Sequence, residues 1–138
     1  MTLRVEELMT PIVMTLGEED TVSRAAEDMQ LGGFRHMPVV NAQKHVVGIV
    51  SDRDLLRAMV EPQGGKRRLG EVMTHPVIVL RPEAPAHRAA ELMLNRKIGA
   101  LPVVDEHREL VGLITETDLL VIAHNALHGR SGAELLSY

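Results

Sequence analysis

Two short motifs carry the residue types best suited to chemistry. Segment 48–54 reads Gly-Ile-Val-Ser-Asp-Arg-Asp, and segment 112–118 reads Gly-Leu-Ile-Thr-Glu-Thr-Asp. Each pattern predicts a strand that ends where a helix begins. Such a junction offers N–H groups and the positive end of the helix dipole to a phosphate. An aspartate one turn into the helix can accept two hydrogen bonds from a ribose diol, so the motifs indicate a nucleotide.

The same motifs have a second interpretation that needs no ligand. Ser51 with Asp54, and Thr115 with Asp118, follow a Ser/Thr-x-x-Asp spacing that is close to a helix capping box. A capping box satisfies N–H groups that the first helical turn leaves without partners. The motifs taken alone leave both interpretations open.

The elements that position these motifs are written twice in the chain. A shift of 64 residues aligns 5–59 with 69–123 without a gap, and about a third of the aligned positions are identical. Chance would give roughly one in fifteen. Three of the matching blocks are Arg24-Ala25-Ala26-Glu27 with Arg88-Ala89-Ala90-Glu91, Pro38-Val39-Val40 with Pro102-Val103-Val104, and Val47-Gly48 with Val111-Gly112.

Each repeat is predicted to run strand, helix, strand, strand, helix. Val22, Ala25, Ala26 and Met29 recur at helical spacing, and polar turns at 41–45 and 105–109 join short β-branched runs into hairpins. A ~60-residue unit buries only ~60% of its unfolded surface, so the copies are expected to pack together. The predicted fold is α+β: two repeated units, each a small mixed sheet with two helices, about a pseudo-two-fold axis.

The repeats suggest a division of the chain into four parts. Residues 1–61 form repeat 1 and residues 69–127 form repeat 2. Residues 62–68 contain Pro, Gly and three basic residues and are predicted to be a surface linker. Residues 128–138 form a C-terminal tail; the residues after His124 have no counterpart in the first copy, so they either extend the last helix or fray.

Composition excludes several classes of function. The 138 residues contain no cysteine, which rules out disulfides and thiolate metal sites and makes the cytoplasm the default location. No apolar run is long enough to span a membrane. The net charge is −4 and the aromatic rings other than histidine are Phe34 and Tyr138, so neither a nucleic-acid partner nor a base-stacking platform is expected.

Catalytic motifs are not found, and the chain is not expected to be an enzyme or to require a cofactor. His124 and His128 lie four residues apart and could share a helix face as metal ligands. A third ligand is not apparent, so a polar helix end is the favoured interpretation and no metal is predicted.

The repeat as a whole resembles the CBS domain, named after cystathionine β-synthase, and the tandem resembles a Bateman module of two such domains. The resemblance covers about nine-tenths of the chain. It rests on four motifs, each with a copy 64 residues on: Val5-Glu6-Glu7-Leu8-Met9-Thr10-Pro11, the Ala25-Ala26 helix, His36-Met37-Pro38-Val39-Val40 and Gly48-Ile49-Val50-Ser51-Asp52-Arg53-Asp54.

This resemblance implies a regulatory module that binds AMP, ADP or ATP, or less commonly NAD or S-adenosylmethionine, in clefts between the repeats. It also implies the residues at each ligand. One cleft would combine Thr115 and Asp118 with Thr10, Pro11 and Ile12 and with Phe34, Arg35, His36 and Met37. The other would combine Ser51 and Asp54 with Thr74, Pro76 and Val77 and with Gly99, Ala100 and Leu101.

The two implied clefts differ in their cations. Arg35-His36 stands where the other copy has Gly99-Ala100, so only the Asp118 cleft gains a cation from that segment. A cation that meets a phosphate contributes ~1.5–3 kcal/mol. Arg53 stands beside Asp54 instead. Both arginines have a solvent-exposed alternative, and Arg53 could also pair with Asp52 or Glu6.

Signalling would then occur through a change of shape or of partner affinity, in a homodimer or through a separate effector protein. The alternative is a dimeric interaction scaffold in which the clefts are degenerate and the Ser/Thr-x-x-Asp pairs only cap helices.

Overall fold

The computed structural model describes residues 2–11 and 14–137. Helices and strands alternate in an α+β fold, as the sequence predicts. In chain order the elements are α1 Val5–Leu8, β1 Thr10–Pro11, β2 Leu16–Gly17, α2 Val22–Gly32, β3 His36–Val40, β4 Val46–Ser51, α3 Asp52–Met59, α4 Leu69–Val72, α5 Ala86–Arg96, β5 Ala100–Val104, β6 Leu110–Thr115 and α6 Glu116–Leu127. Short 3-10 helices lie at Gly64–Lys66 and Gly132–Leu136.

The chain forms two compact units. The first unit comprises residues 14–77, and the second comprises residues 2–11 with 78–137. The sheet of the first unit has the order β2-β3-β4, with β2 parallel to β3 and β3 antiparallel to β4. The sheet of the second has the order β1-β6-β5, with both pairs antiparallel.

Both predicted hairpins are present, and a side chain organises each turn. Asn41 Oδ1 accepts the backbone N–H groups of Gln43 and His45, both at 3.0 Å. Asp105 Oδ1 accepts those of His107 at 2.8 Å and Glu109 at 2.9 Å. The hydrogen bond from Glu109 lowers the pKa of Asp105 below its usual value.

The first helix of each predicted repeat buries the stripe that its spacing predicts. In α2, Val22, Ala25 and Met29 are buried against the sheet of the first unit. The helix begins where the Thr21 side chain accepts the N–H of Arg24 at 3.1 Å, and it ends at Gly33 with φ +71°. The corresponding buried residues of α5 include Ala86, Ala89 and Met93.

The N-terminal segment of each repeat packs in the unit formed mainly by the other repeat. The N–H of Val5 donates to the carbonyl of Ala84 at 2.8 Å, so α1 belongs to the second unit. The N–H of Leu69 donates to the carbonyl of Asp20 at 2.8 Å, so α4 belongs to the first unit. The repeats of the sequence and the compact units therefore divide the chain differently.

The predicted linker is partly packed. Gly64 is buried, because its 3-10 helix lies on α2 and α3 and a Cβ at this position would overlap the backbone of Ala58. A residue with a side chain could not approach so closely. The basic residues that follow are exposed or half-buried.

Of the two predictions for the residues after His124, extension of the last helix is the correct one. The helix continues to Leu127, and Gly132–Leu136 folds back onto it. In the part of the chain that the structure describes, every helix is too short or too polar to cross a lipid bilayer.

Candidate functional site

The first Ser/Thr-x-x-Asp motif lies where β4 ends and α3 begins. Ser51 is the N-cap residue of α3, and Asp54 is the third residue of the helix. The N–H of Ser51 donates to Asp54 Oδ2 at 2.8 Å, and the N–H of Asp54 donates to Ser51 Oγ at 3.1 Å. The capping-box interpretation is therefore correct for this motif.

The second motif has the same geometry between β6 and α6. The N–H of Thr115 donates to Asp118 Oδ2 at 2.8 Å, and the N–H of Asp118 donates to Thr115 Oγ1 at 3.4 Å. The Thr115 hydroxyl adds a third hydrogen bond to Asp118 Oδ2 at 3.1 Å. Each motif thus fixes its aspartate through one carboxylate oxygen.

The other carboxylate oxygen of each aspartate determines whether the side chain can still accept a hydrogen bond from a ligand. Among the described residues, Oδ1 of Asp54 and Oδ1 of Asp118 accept no hydrogen bond. Both side chains are half-buried, so this oxygen is held in place and retains its acceptor capacity. Capping and acceptance of a ribose diol are therefore compatible in one residue.

The two aspartates differ in their electrostatic environment. Burial raises the pKa of Asp118, and hydrogen bonds from the backbone and side chain of Thr115 oppose that change. The carboxylate is thus harder to ionise than an exposed one and is partly desolvated, which strengthens a hydrogen bond from a ligand.

The predicted residues before β3 and β5 lie beside the hydroxyl residue of their own unit. Ala100 pairs with Thr115 across β5 and β6, and the carbonyl of Gly99 accepts the N–H of Glu116 at 3.1 Å. His36 pairs with Ser51, and the carbonyl of Arg35 accepts the N–H of Asp52 at 2.9 Å.

Two of the predicted ligand-binding residues have core side chains. Met37 and Leu101 are fully buried in the cores of the first and second units. Only their backbone atoms are left for a ligand.

Predicted residues from the N-terminal segments reach the same motifs. Thr10 and Pro11 form β1 and pair with Leu113 and Gly112 on β6, two and three residues before Thr115. In the first unit Thr74 pairs with Ile49 on β4 through two backbone hydrogen bonds of 2.9 and 3.2 Å. Pro76 is exposed and Val77 is half-buried, and Ile12 lies outside the described residues.

Gly48 and Gly112 allow the N-terminal segments to pack closely against β4 and β6. The sequence did not predict this role for the two glycines. A Cβ at Gly112 would lie 3.0 Å from the carbonyl oxygen of Thr10, and one at Gly48 would lie 3.0 Å from that of Thr74. Each Cβ would also overlap a methionine side chain, Met9 or Met73. A glycine between aliphatic strand residues in both repeats was the available signal.

The cations near the motifs are exposed. Among the described residues, Arg35 and Arg53 form no salt bridge, so the predicted pairing of Arg53 with Asp52 or Glu6 is not seen. The linker arginines are engaged elsewhere: Arg67 pairs with Glu61 at 3.3 Å, and Arg68 pairs with Glu19.

The metal-site alternative gains no support from the described part of the chain. The rings of His124 and His128 stack with their centroids 6.2 Å apart. No group of three or more His, Asp or Glu side chains within 2–11 and 14–137 could hold a metal ion.

Comparison of the chain with models of known protein families identifies the family of both repeats. The model of the CBS domain matches residues 5–61 and again residues 69–125. This chain belongs to the CBS domain family. It is a tandem CBS protein, and its two matches begin 64 residues apart.

Solved CBS structures share the fold over nearly the whole chain. AcuB from Vibrio cholerae is 39% identical, covers 93% of this chain and 95% of its own, and has a TM-score of 0.79. CBSX2, solved in complex with AMP, is 27% identical over 90% of this chain and 98% of its own, with a TM-score of 0.78. The CBS pair of protein MJ0100, solved with 5′-methylthioadenosine and S-adenosylmethionine, is 25% identical over 91% and 98%, with a TM-score of 0.83.

Curated relatives carry the CBS pair within longer chains. A homoserine O-acetyltransferase from Methanococcoides burtonii is 36% identical over 115 residues, which are 83% of this chain and 23% of that protein. The tandem CBS chain thus spans about a quarter of the length of such relatives.

Proposed function

We propose that this tandem CBS protein is a regulatory module that binds an adenosyl ligand and is not itself a catalyst. The observation that carries the proposal is the twice-repeated aspartate with one oxygen fixed by the helix cap and the other available. Asp54 and Asp118 would each accept hydrogen bonds from a ribose diol, and the adjacent helix N-terminus would favour a phosphate or another electron-rich group.

Two similar structures support the ligand class. CBSX2 was solved with AMP, and the MJ0100 pair was solved with S-adenosylmethionine and 5′-methylthioadenosine. Adenosine is the part that these ligands share. AMP, ADP and ATP are the first candidates for this chain, with NAD and S-adenosylmethionine behind them.

The resemblance assigns residues to each ligand. Asp118 and Thr115 would act with Thr10, Pro11 and Ile12, and Asp54 and Ser51 would act with Thr74, Pro76 and Val77. The further residues that the resemblance implies for a ligand are Arg35, His36, Met37, Gly99, Ala100 and Leu101. Arg35 is exposed and forms no salt bridge within the described residues, so its guanidinium group can bind an anionic group of a ligand. Arg53 has the same properties beside Asp54.

A homodimer is the second part of the proposal. Helices α5 and α6 form an open apolar groove of about 730 Å³ in the second unit, where Leu94 is 79% and Leu120 is 65% exposed. Helices α2 and α3 form a groove of about 450 Å³ at the corresponding place in the first unit, where Leu56 is 65% exposed. Two matched apolar faces on each chain suit a closed symmetric pair with a second copy.

The interaction scaffold is the other candidate. The same apolar grooves would serve it, and the capping boxes would then be structural only. Thermal melting with AMP, ADP, ATP, NAD and S-adenosylmethionine separates the two functions. A ligand at ~100 times its dissociation constant adds ~2.7 kcal/mol to the free energy of unfolding, so a binder raises the Tm by several degrees. A chain that responds to none of the five at millimolar concentration is a scaffold.

A further inference from the structure

Asn125 holds the C-terminal segment against α6. Its side chain has no exposed surface. Among the described residues, no other polar or charged residue is buried. Its Nδ2 donates to the carbonyl of Ser137 at 2.7 Å and to that of Leu135 at 3.0 Å. Its Oδ1 accepts Arg130 Nη1 at 2.8 Å and contacts His124 Nδ1 at 3.2 Å.

These contacts use the full hydrogen-bonding capacity of the amide. An asparagine side chain has two N–H donors and one oxygen with two lone pairs. Burying such a group is unfavourable unless its partners are present, and three of the four partners belong to residues 130–137. Asn125 is therefore satisfied only when this segment is docked on α6. We call residues 130–137 the docked tail.

The docked tail is an addition to the second repeat alone. Glu61 stands 64 residues before Asn125; it is exposed and pairs with Arg67. Helix α3 ends at Met59, whereas α6 runs four residues further than the equivalent position, to Leu127. The tail is thus not a feature that the repeated fold requires.

Asn125 and Asp118 lie on the same helix, seven residues apart. This spacing is two turns, so the two side chains share a helix face about 10.5 Å apart along the axis. Asp118 stabilises the first turn of α6 through the capping box, and Asn125 stabilises the last turns through the docked tail. Each set of hydrogen bonds exists only when its end of α6 is formed, and each therefore favours the other.

We propose that Asn125 is a latch that couples docking of residues 130–137 to occupation of the ligand position at Asp118. A ligand that engages Asp118 adds contacts to the capped first turn of α6, and a more stable helix holds the tail more firmly. Release of the tail is then the output of the module when ligand dissociates. The coupling rests on the proposed function, whereas the latch rests on the contacts of Asn125 alone.

Trypsin cleavage after Arg130, followed by intact mass spectrometry, tests both parts in the full chain. Cleavage after Arg108, in the exposed β5–β6 turn, is the internal reference. In wild type the Arg130 site is protected. Asn125→Ala increases its cleavage rate at least tenfold relative to Arg108, and Leu127→Ala, at a residue 89% exposed, leaves the rate unchanged.

AMP at saturating concentration slows wild-type cleavage after Arg130 by about fivefold, and Asn125→Ala weakens AMP binding by the same factor, because coupling is reciprocal. Equal cleavage in wild type and Asn125→Ala overturns the latch whatever the ligand does. If calorimetry shows AMP binding while cleavage is unaffected, the coupling is wrong and the proposed function stands. If none of AMP, ADP, ATP, NAD and S-adenosylmethionine binds wild type, the proposed function and the coupling both fail, and the variant comparison still tests the latch.

Discussion

Asp118 is bound to Thr115 by three hydrogen bonds, all of which involve one carboxylate oxygen or the threonine hydroxyl at the start of α6. Asp54 and Ser51 repeat two of these bonds at the start of α3. The cap therefore orients the carboxylate and leaves its second oxygen for another donor. Under the proposed function, a single residue type at a single helix position would serve both stability and binding, and the two contributions can be separated by experiment.

Alanine at either aspartate should reduce both stability and ligand affinity. Loss of the capping box costs about 1 kcal/mol in the free energy of unfolding. Loss of hydrogen bonds to a charged acceptor costs ~1.5–3 kcal/mol of binding, which is at least tenfold in Kd. Urea unfolding and calorimetric titration of Asp54→Ala and Asp118→Ala measure the two effects.

The matched control is Asp105→Ala. Asp105 likewise accepts backbone N–H groups through its side chain, from His107 and Glu109, but it lies in the β5–β6 turn, so its replacement should lower stability and leave Kd unchanged. If the aspartates at 54 and 118 behave like Asp105, they are caps only. If Asp54→Ala abolishes binding and Asp118→Ala has no effect, Asp118 is a cap only and Asp54 alone holds the ligand.

The raised pKa of Asp118 gives stability a defined dependence on pH. The folded chain holds this proton more tightly than the unfolded chain, so the contribution of Asp118 falls as pH rises from its usual value of 3.8 through the raised value. Urea unfolding of wild type and Asp118→Asn between pH 3.5 and 6 should show wild type losing stability relative to the variant over that window.

For Asp105, the same experiment should give a pH dependence of the free energy of unfolding with the opposite sign. Its pKa is lowered by the N–H groups of Glu109 and His107, so its contribution is present above the usual value and is lost as pH falls. The Asp105→Asn comparison should therefore slope the other way. Parallel slopes for the two variants would contradict the assigned environments.

Much of the fold follows from the sequence because its determinants are local. Helical spacing identified the buried stripe of α2, and a polar turn between β-branched residues identified both hairpins. The capping interpretation followed from the Ser/Thr-x-x-Asp spacing alone. Each of these features depends on contacts among residues close in sequence, and a repeat doubles the signal.

Local sequence patterns did not predict the long-range packing, although the resemblance implied that Thr10 and Pro11 lie with Asp118, and Thr74 with Asp54. The packing of Val5 against Ala84 and of Leu69 against Asp20 joins distant segments, and no local pattern shows which repeat an N-terminal segment will contact. Burial of Gly64 depends on the backbone of α3 in the same way. The docking of the tail by Asn125 was not predicted, because the sequence around a helical asparagine does not show which residues will contact its side chain.

Alanine at Gly112 tests the close approach of the N-terminal segment to β6. The added Cβ would meet the carbonyl of Thr10 at 3.0 Å and the side chain of Met9, which should cost about 1–3 kcal/mol. Met9→Ala with Gly112→Ala should recover part of that loss. Thermal melts give the values, and Gly17→Ala is the control, because its nearest contacts are at 3.6 and 3.8 Å. A Gly112→Ala protein as stable as the control would show that the approach is not needed.

Charged residues in the groove of the second unit should separate a homodimer. Leu94→Glu with Leu120→Glu places two carboxylates on an apolar face, and burial of unpaired charge is unfavourable. Light scattering after size-exclusion chromatography should report a monomer for this variant and a dimer for wild type. Leu127→Glu, outside the groove, should remain dimeric. A monomeric wild type, or a dimeric double variant, would contradict the proposed interface.

Isothermal titration of wild type and of the Asp54→Ala/Asp118→Ala double variant with AMP, ADP, ATP, NAD and S-adenosylmethionine tests the central claim most directly. We expect at least one of the five to bind wild type and to bind the folded double variant at least tenfold more weakly. Binding that is equally strong in the double variant, or the absence of binding by all five to wild type, would contradict an adenosyl module built on these two aspartates.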